Sequence, residues 1–206
     1  ELGPLDEQGV AIGADAARRL AGAGKRAFAR GDMHAAANLY RRAIALLDAN
    51  DTRRLPLLPE FVEVLLEVGD FAQARSVLAE ARAAAERAAN QRIAALTRLL
   101  RIRIRIFSAE SGDLAEEMLG ITNETIPLFE AEQAHPELAR AWRLVGTVHG
   151  IAGRYGQSAE AVSRSITHAR LAGEQRLIAR NTADLSSSTL LGPTPVPQAI
   201  DLCEQM

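Results

Sequence analysis

The chain has 206 residues, 48% of them hydrophobic but only 4% aromatic, and 24 basic against 26 acidic side chains leave a net charge of −2. That balance lacks the basic footprint of a nucleic-acid binder, and the alanine-rich, aromatic-poor composition favours closely packed helices over a β-sandwich. Cys203 is the single cysteine, which excludes an internal disulfide framework, and no apolar run reaches the roughly 18 residues of a membrane span.

In chain order, the first element is "RLAGAGKRAF", residues 19–28. Gly24-Lys25 invites a phosphate-loop reading, and the reading fails. Arg19 stands where that loop needs its first glycine, Arg26 follows the lysine in place of Ser or Thr, and no strand precedes it. Next comes "GDMHAAANLYRRAIALL", residues 31–47, a turn signal followed by small residues at helical spacing. Comparable turn signals return at Gly69-Asp70, Gly112-Asp113 and Gly153-Arg154, with the glycines 38, 43 and 41 residues apart. Each lies between two stretches of 3.6-residue apolar spacing, which predicts a helix, a tight turn and a second helix. Glycine suits the left-handed position that ends the first helix, and the Asp that usually follows can cap the second. The expected units are 12–50, 55–89, 91–132, 136–172 and 174–206, the last truncated.

The third unit is the least regular. "RIRIRIF", residues 101–107, alternates like a strand, yet Leu96, Leu99, Leu100, Ile104 and Phe107 share one helical face and Ile102 and Ile106 widen it. A helix is expected there, followed by an expanded "SAESGD" loop. The fifth unit contains "GPTPVP", whose prolines stop a helix and stiffen the link.

A two-helix unit repeating every 40 or so residues points to an all-α fold, an α-solenoid. Aligned on the turn glycines, the units share Leu20, Ala23-Gly24, Met33, Ala36, Tyr40 and Ala43 in the first, and Leu58, Leu65, Phe71, Ala74, Leu78 and Ala81 in the second. The fourth has Trp142, Val145-Gly146 and Tyr155. This pattern resembles the tetratricopeptide repeat, with a period longer than its usual 34 or so residues. The resemblance implies a single array forming a right-handed superhelix. Gly24, Gly146, Ala36 and Ala74 then lie where the two helices of a unit cross, because axes approach to about 8 Å only over small side chains.

No active site stands out. His34, His135, His149 and His168 are scattered, with no paired metal spacing, and His149 is expected to be a packing residue. Cys203 has no evident base partner, and the sequon "NET" at 123–125 falls within an expected helix. No cofactor or metal is expected. The resemblance implies instead a concave groove lined by the first helices. Its positions here are Arg18, Lys25, Glu63, Arg98, Ile102, Arg105, Arg140, Arg143, Thr147, Asn181, Asp184 and Ser188. The arginines in the middle suit carboxylates, so an acidic peptide or anionic ligand is a candidate partner.

The phrases "ELGPLDEQG", "ARGDMHAAANLYRRAIALL", "RLPLLPEFVEVLLEVGDFAQARSVLAEA" and "GPTPVPQAI" together resemble a group of bacterial regulators. In that group a tetratricopeptide region follows a signal-transduction ATPase module, often with a nucleotide-cyclase or LuxR-type DNA-binding domain at the other end. The resemblance implies a cytoplasmic, non-catalytic protein-interaction arm that binds a partner protein or the ATPase module of its own chain. The alternative is an inducer-sensing domain holding a small molecule. The chain starts without methionine and stops inside an amphipathic pattern, so it reads as a piece of a longer protein. The cut leaves an apolar face that favours end-to-end self-association.

Overall fold

The computed structural model describes residues 7–107 and 114–204, with the side chains of Glu7, Phe107, Leu202 and Cys203 left aside. Within these residues the chain is all-helical and without strands. It divides into two compact units, Glu1–Glu110 and Ser111–Met206. The division falls in the "SAESGD" stretch, which lies outside the described residues together with the expected Gly112-Asp113 turn.

The first unit contains α1 (Glu7–Ala29), α2 (Met33–Ala45), α3 (Leu57–Val68), α4 (Phe71–Arg87) and α5 (Gln91–Phe107). Each helix packs on the next, and α3 also touches α5. The second unit contains α6 (Leu114–Ala131), α7 (His135–Ile151), α8 (Tyr155–Ala172), α9 (Gln175–Leu191) and α10 (Val196–Glu204). Sequential packing recurs there, with α7 also touching α9. "RIRIRIF" is the end of α5. Its Leu99, Leu100, Ile102 and Ile104 are all buried, giving the wide apolar surface that its two overlapping stripes predict.

One turn geometry recurs at six of the eight connections among the described residues, all but the α2–α3 and α9–α10 links. Gly31, Gly69, Gly153 and Gly173 take φ values from +69° to +87°, and Ala89 and Gln133 take +48° and +51° at equivalent places. In all six turns the next residue donates its N–H to the carbonyl five positions back, as Asp32 does to Ala27 at 3.0 Å and Glu174 to Ala169 at 2.9 Å. This is the six-to-one bond that closes a helix around a left-handed residue. Between Gly69 and Leu191 the described turns at Ala89, Gln133, Gly153 and Gly173 separate helices of 17 or 18 residues, and two of these four carry no glycine.

The following residue differs between the units. Asp32, Asp70 and Asn90 each accept a bond from the backbone N–H three residues on, at 3.1, 3.0 and 2.9 Å. The corresponding Ala134, Arg154 and Glu174 make no side-chain cap.

The small residues sit where the helices meet. A Cβ on Gly24 would stand 3.1 Å from the ring of Tyr40, and one on Gly146 would stand 2.6 Å from Cγ2 of Val162. Ala36, Ala43, Ala74 and Ala81 are at 0% exposure within one apolar cluster that also takes in Tyr40, Phe61, Leu65, Leu100 and Ile104. Side chains lock this unit further. Arg54 donates to the carbonyls of Ile44 and Leu47, both at 2.9 Å, and to Glu80 at 2.7 Å, so a cation closes the C-terminal end of α2. The Tyr40 hydroxyl donates to Glu60 at 2.8 Å.

Candidate functional site

The first unit carries a cleft of about 580 Å³ between α4 and α5. Helical spacing puts Arg75, Leu78, Ala79, Arg82 and Glu86 on one stripe of α4, and Ala94, Thr97, Arg98, Arg101, Ile104 and Arg105 on the facing stripe of α5. Leu78, Thr97 and Ile104 are buried at 8%, 3% and 2% exposure and make the floor. The Thr97 hydroxyl is turned back to the Ala94 carbonyl at 2.7 Å, which leaves the floor mainly apolar. Arg75, Arg82, Arg98 and Arg101 are exposed along the rim, with Arg105 half-buried. The lining thus includes five arginines and one carboxylate, Glu86, and none of Arg75, Arg98, Arg101 and Arg105 is without an interaction partner. Arg82 bonds that carboxylate at 2.9 Å across one helical turn, and both side chains are well exposed. Such exposed pairs contribute about 0.3–0.5 kcal/mol, so this one yields readily to a better partner.

Of the twelve expected groove residues, only Arg98 and Arg105 meet in this cleft. Arg18 and Lys25 are exposed on α1, with Arg18 bonded to Asp15 on its own helix. Glu63 is buried at 9% exposure and lies 3.5 Å from Arg103, which also reaches Glu67 at 3.9 Å, so one arginine of α5 ties down two carboxylates of α3. Ile102 is at 0% exposure and is a core side chain.

In the second unit, Arg140 donates to the Pro136 carbonyl at 2.7 Å and to Glu174 at 3.4 Å, and Arg143 donates to Asp184 at 3.0 Å. Glu174 stands just before α9 and Asp184 lies on it, so both arginines reach acids at or on the neighbouring helix. The Thr147 hydroxyl bonds back to the Arg143 carbonyl at 3.0 Å.

Asn181 and Ser188 are buried, at 0% and 6% exposure, against α8. Asn181 Nδ2 donates to Ser165 Oγ at 2.6 Å, and Ser165 donates onward to the Ala139 carbonyl at 2.5 Å. Ser158 and Ser188 share a bond of 3.0 Å, and Ser158 also reaches the Gly146 carbonyl at 2.9 Å. A polar seam therefore stitches α7, α8 and α9 together. In this conformation Ile102, Asn181 and Ser188 offer no surface to a partner.

The histidines are less scattered than their numbering implies. His135 and His168 stack with centroids 5.3 Å apart, and their Nδ1 atoms are 3.2 Å apart. One Nδ1–H donates to the other Nδ1, which requires at least one neutral ring. Burial, aided by the His135 charge and opposed by Glu130, holds the His168 pKa below its ordinary value. His149 is half-buried and its pKa is also lowered, by burial and then by Arg154, whose Nε lies 3.0 Å from His149 Nδ1. A separation of 33 residues hides the His135–His168 pair from any local motif.

Among the described residues, no group of three or more His, Cys, Asp or Glu side chains could hold a metal ion, and no helix is long and apolar enough to cross a membrane. Gly24-Lys25 lies inside the continuous helix α1, and the "NET" sequon lies inside α6. No protein-family model matches the chain and no curated protein does.

Proposed function

We propose that the chain is a non-catalytic protein-interaction module of tetratricopeptide type, an α-solenoid serving as the regulatory arm of a larger bacterial signalling protein. Partners on this reading are an acidic protein segment or the ATPase module of the parent chain. The observation that carries it is the α4–α5 cleft, where five arginines rim an apolar floor. The solenoid part rests on the recurring helix–turn–helix hairpins and on the α3–α5 and α7–α9 contacts, in which each first helix touches the first helix of the next hairpin. A binding arm of this kind biases its parent between states only by its differential affinity for them.

The size of the cleft favours one other reading. A volume of about 580 Å³ lies within the range of small-molecule sites, so an inducer-sensing domain is the alternative. Thermal unfolding of the chain against acidic peptides and against small metabolites separates the two. A ligand at 100 times its Kd stabilises by about 2.7 kcal/mol. Salt-sensitive stabilisation by peptides supports the interaction module, whereas stabilisation by one metabolite with silence from the peptides replaces it with the sensor.

A further inference from the structure

We infer that His135 and His168 form an open site for a zinc-class divalent ion where α7 meets α8, an inference independent of the interaction-module reading above. The separation of the donors is the first reason. Zinc holds an imidazole nitrogen at about 2.0–2.1 Å, which sets two nitrogens of a tetrahedral ion about 3.3–3.4 Å apart. The two Nδ1 atoms stand 3.2 Å apart. Their ring centroids are 5.3 Å apart and the planes differ by 23°, so the nitrogens occupy the facing edges of two nearly parallel rings.

Rigid placement is the second reason. His135 begins α7 directly behind a closed turn, in which Ala134 donates its N–H to the Phe129 carbonyl at 2.8 Å. One turn away on each helix, Ser165 of α8 bonds the Ala139 carbonyl of α7, so the two histidines extend the same seam by one rung. Donors fixed by helices and by bonds around them need little rearrangement to take an ion.

The third reason is the state of the rings. Imidazole binds metal when neutral, and burial, aided by His135 and opposed by Glu130, holds His168 toward that form. Both rings are half-buried, which leaves solvent a path to the pair. Among the described residues no third His, Cys, Asp or Glu completes a ligand group, so water fills the remaining positions and the ion is exchangeable. Without the ion, one Nδ1–H donates to the other Nδ1. With it, both Nδ1 lone pairs go to zinc and that proton moves through solvent to Nε2 of its own ring, so two neutral rings release no proton.

The test titrates ZnCl2 into the full 206-residue chain in competition with a chromophoric zinc indicator. One ion per chain is expected, undisturbed by excess MgCl2, since magnesium prefers oxygen ligands. Loss of an outer-shell partner already costs metal sites about 10–100-fold, so His135→Gln and His168→Gln should each weaken binding at least about tenfold. His149→Gln and Cys203→Ser, which remove other zinc-type ligands, should leave it unchanged. Helical circular dichroism of each variant should match the parent. Imidazole NMR of the unaltered chain reads the site without any substitution, and zinc should convert both rings to the Nε2–H form.

Absence of zinc binding overturns the site. Binding that both histidine variants retain also overturns it, as does binding that leaves the His135 and His168 imidazole signals unmoved, because the ion then sits elsewhere.

Discussion

The two compact units use the same backbone turn and hold their helices together by different chemistry. Five and twelve residues after the turn glycine, the first unit has Ala36 and Ala43 in one hairpin and Ala74 and Ala81 in the next. At the same two places after Gly153 the second unit has Ser158 and Ser165. The alanines sit in an apolar cluster. The serines instead carry hydrogen bonds from α8 to the carbonyls of Gly146 and Ala139 on α7 and to Ser188 and Asn181 on α9. Eight of the ten buried polar side chains among the described residues belong to the second unit. Caps divide the same way, with Asx residues beginning three helices of the first unit and none of the corresponding three in the second. A crossing between helices thus demands small volume and leaves polarity open where the buried hydroxyls and the Asn181 amide N–H find partners, although the Asn181 Oδ1 has none.

Overpacking the crossing is the harshest way to break the comparison. Ala36→Leu adds three carbons at a site with 0% exposure and should cost about 1–3 kcal/mol, read as a lower midpoint in urea. An unchanged midpoint would mean that Ala36 does not mark the crossing. The seam responds differently. Ser165→Ala removes the acceptor of the Asn181 amide and should cost about 1–3 kcal/mol, whereas the double change Ser165→Ala with Asn181→Leu should recover part of that, because removing both partners leaves nothing unpaired. A double mutant no more stable than Ser165→Ala would show that the seam acts through packing alone.

Smaller gains should come from giving the second unit what the first already has. Arg154→Asp places a capping carboxylate at a backbone like that of Asp32 and Asp70, and about 0.5–1 kcal/mol of stabilisation is expected even with the His149 contact removed. Ala89→Gly and Gln133→Gly relieve non-glycine residues at positive φ and should each stabilise by roughly 0.5–1 kcal/mol in thermal unfolding.

The smallest effect is in pH, and its direction follows from the histidines. His168 has a folded pKa below its unfolded value, so the unfolded chain binds the proton more readily. The stability that neutral His168 contributes is present above the unfolded value of about 6.5 and is lost as pH falls through the folded value. The melting temperature of the parent should therefore drop between pH 7 and pH 5, and His168→Gln should flatten that slope. A steeper slope in the variant would reverse this assignment.

Helices, glycine turns and small crossings were legible in the sequence because each is local. A 3.6-residue stripe, a glycine at positive φ and an Asp one residue later leave their marks within a few positions. Gly24, which the phosphate-loop pattern could have claimed, is explained by the Tyr40 ring 3.1 Å from where its Cβ would be. The turns at Ala89 and Gln133 fall where the expected units 55–89, 91–132 and 136–172 meet, but no glycine marks their left-handed residues, since the hydrogen bonds that close them are made by backbone groups common to every residue.

What only tertiary structure decided is which polar side chains face solvent and which face each other. Asn181 and Ser188 lie at groove spacing on α9, yet that face packs on the serines of α8. Arg98, Arg105, Arg140 and Arg143 look equivalent along the chain. The first two line the cleft between α4 and α5, and the last two bond Glu174 and Asp184, 34 and 41 residues away. Periodicity states that a helix has faces; the neighbour each face meets depends on the angle and register at which helices cross, which side chains distant in sequence set jointly.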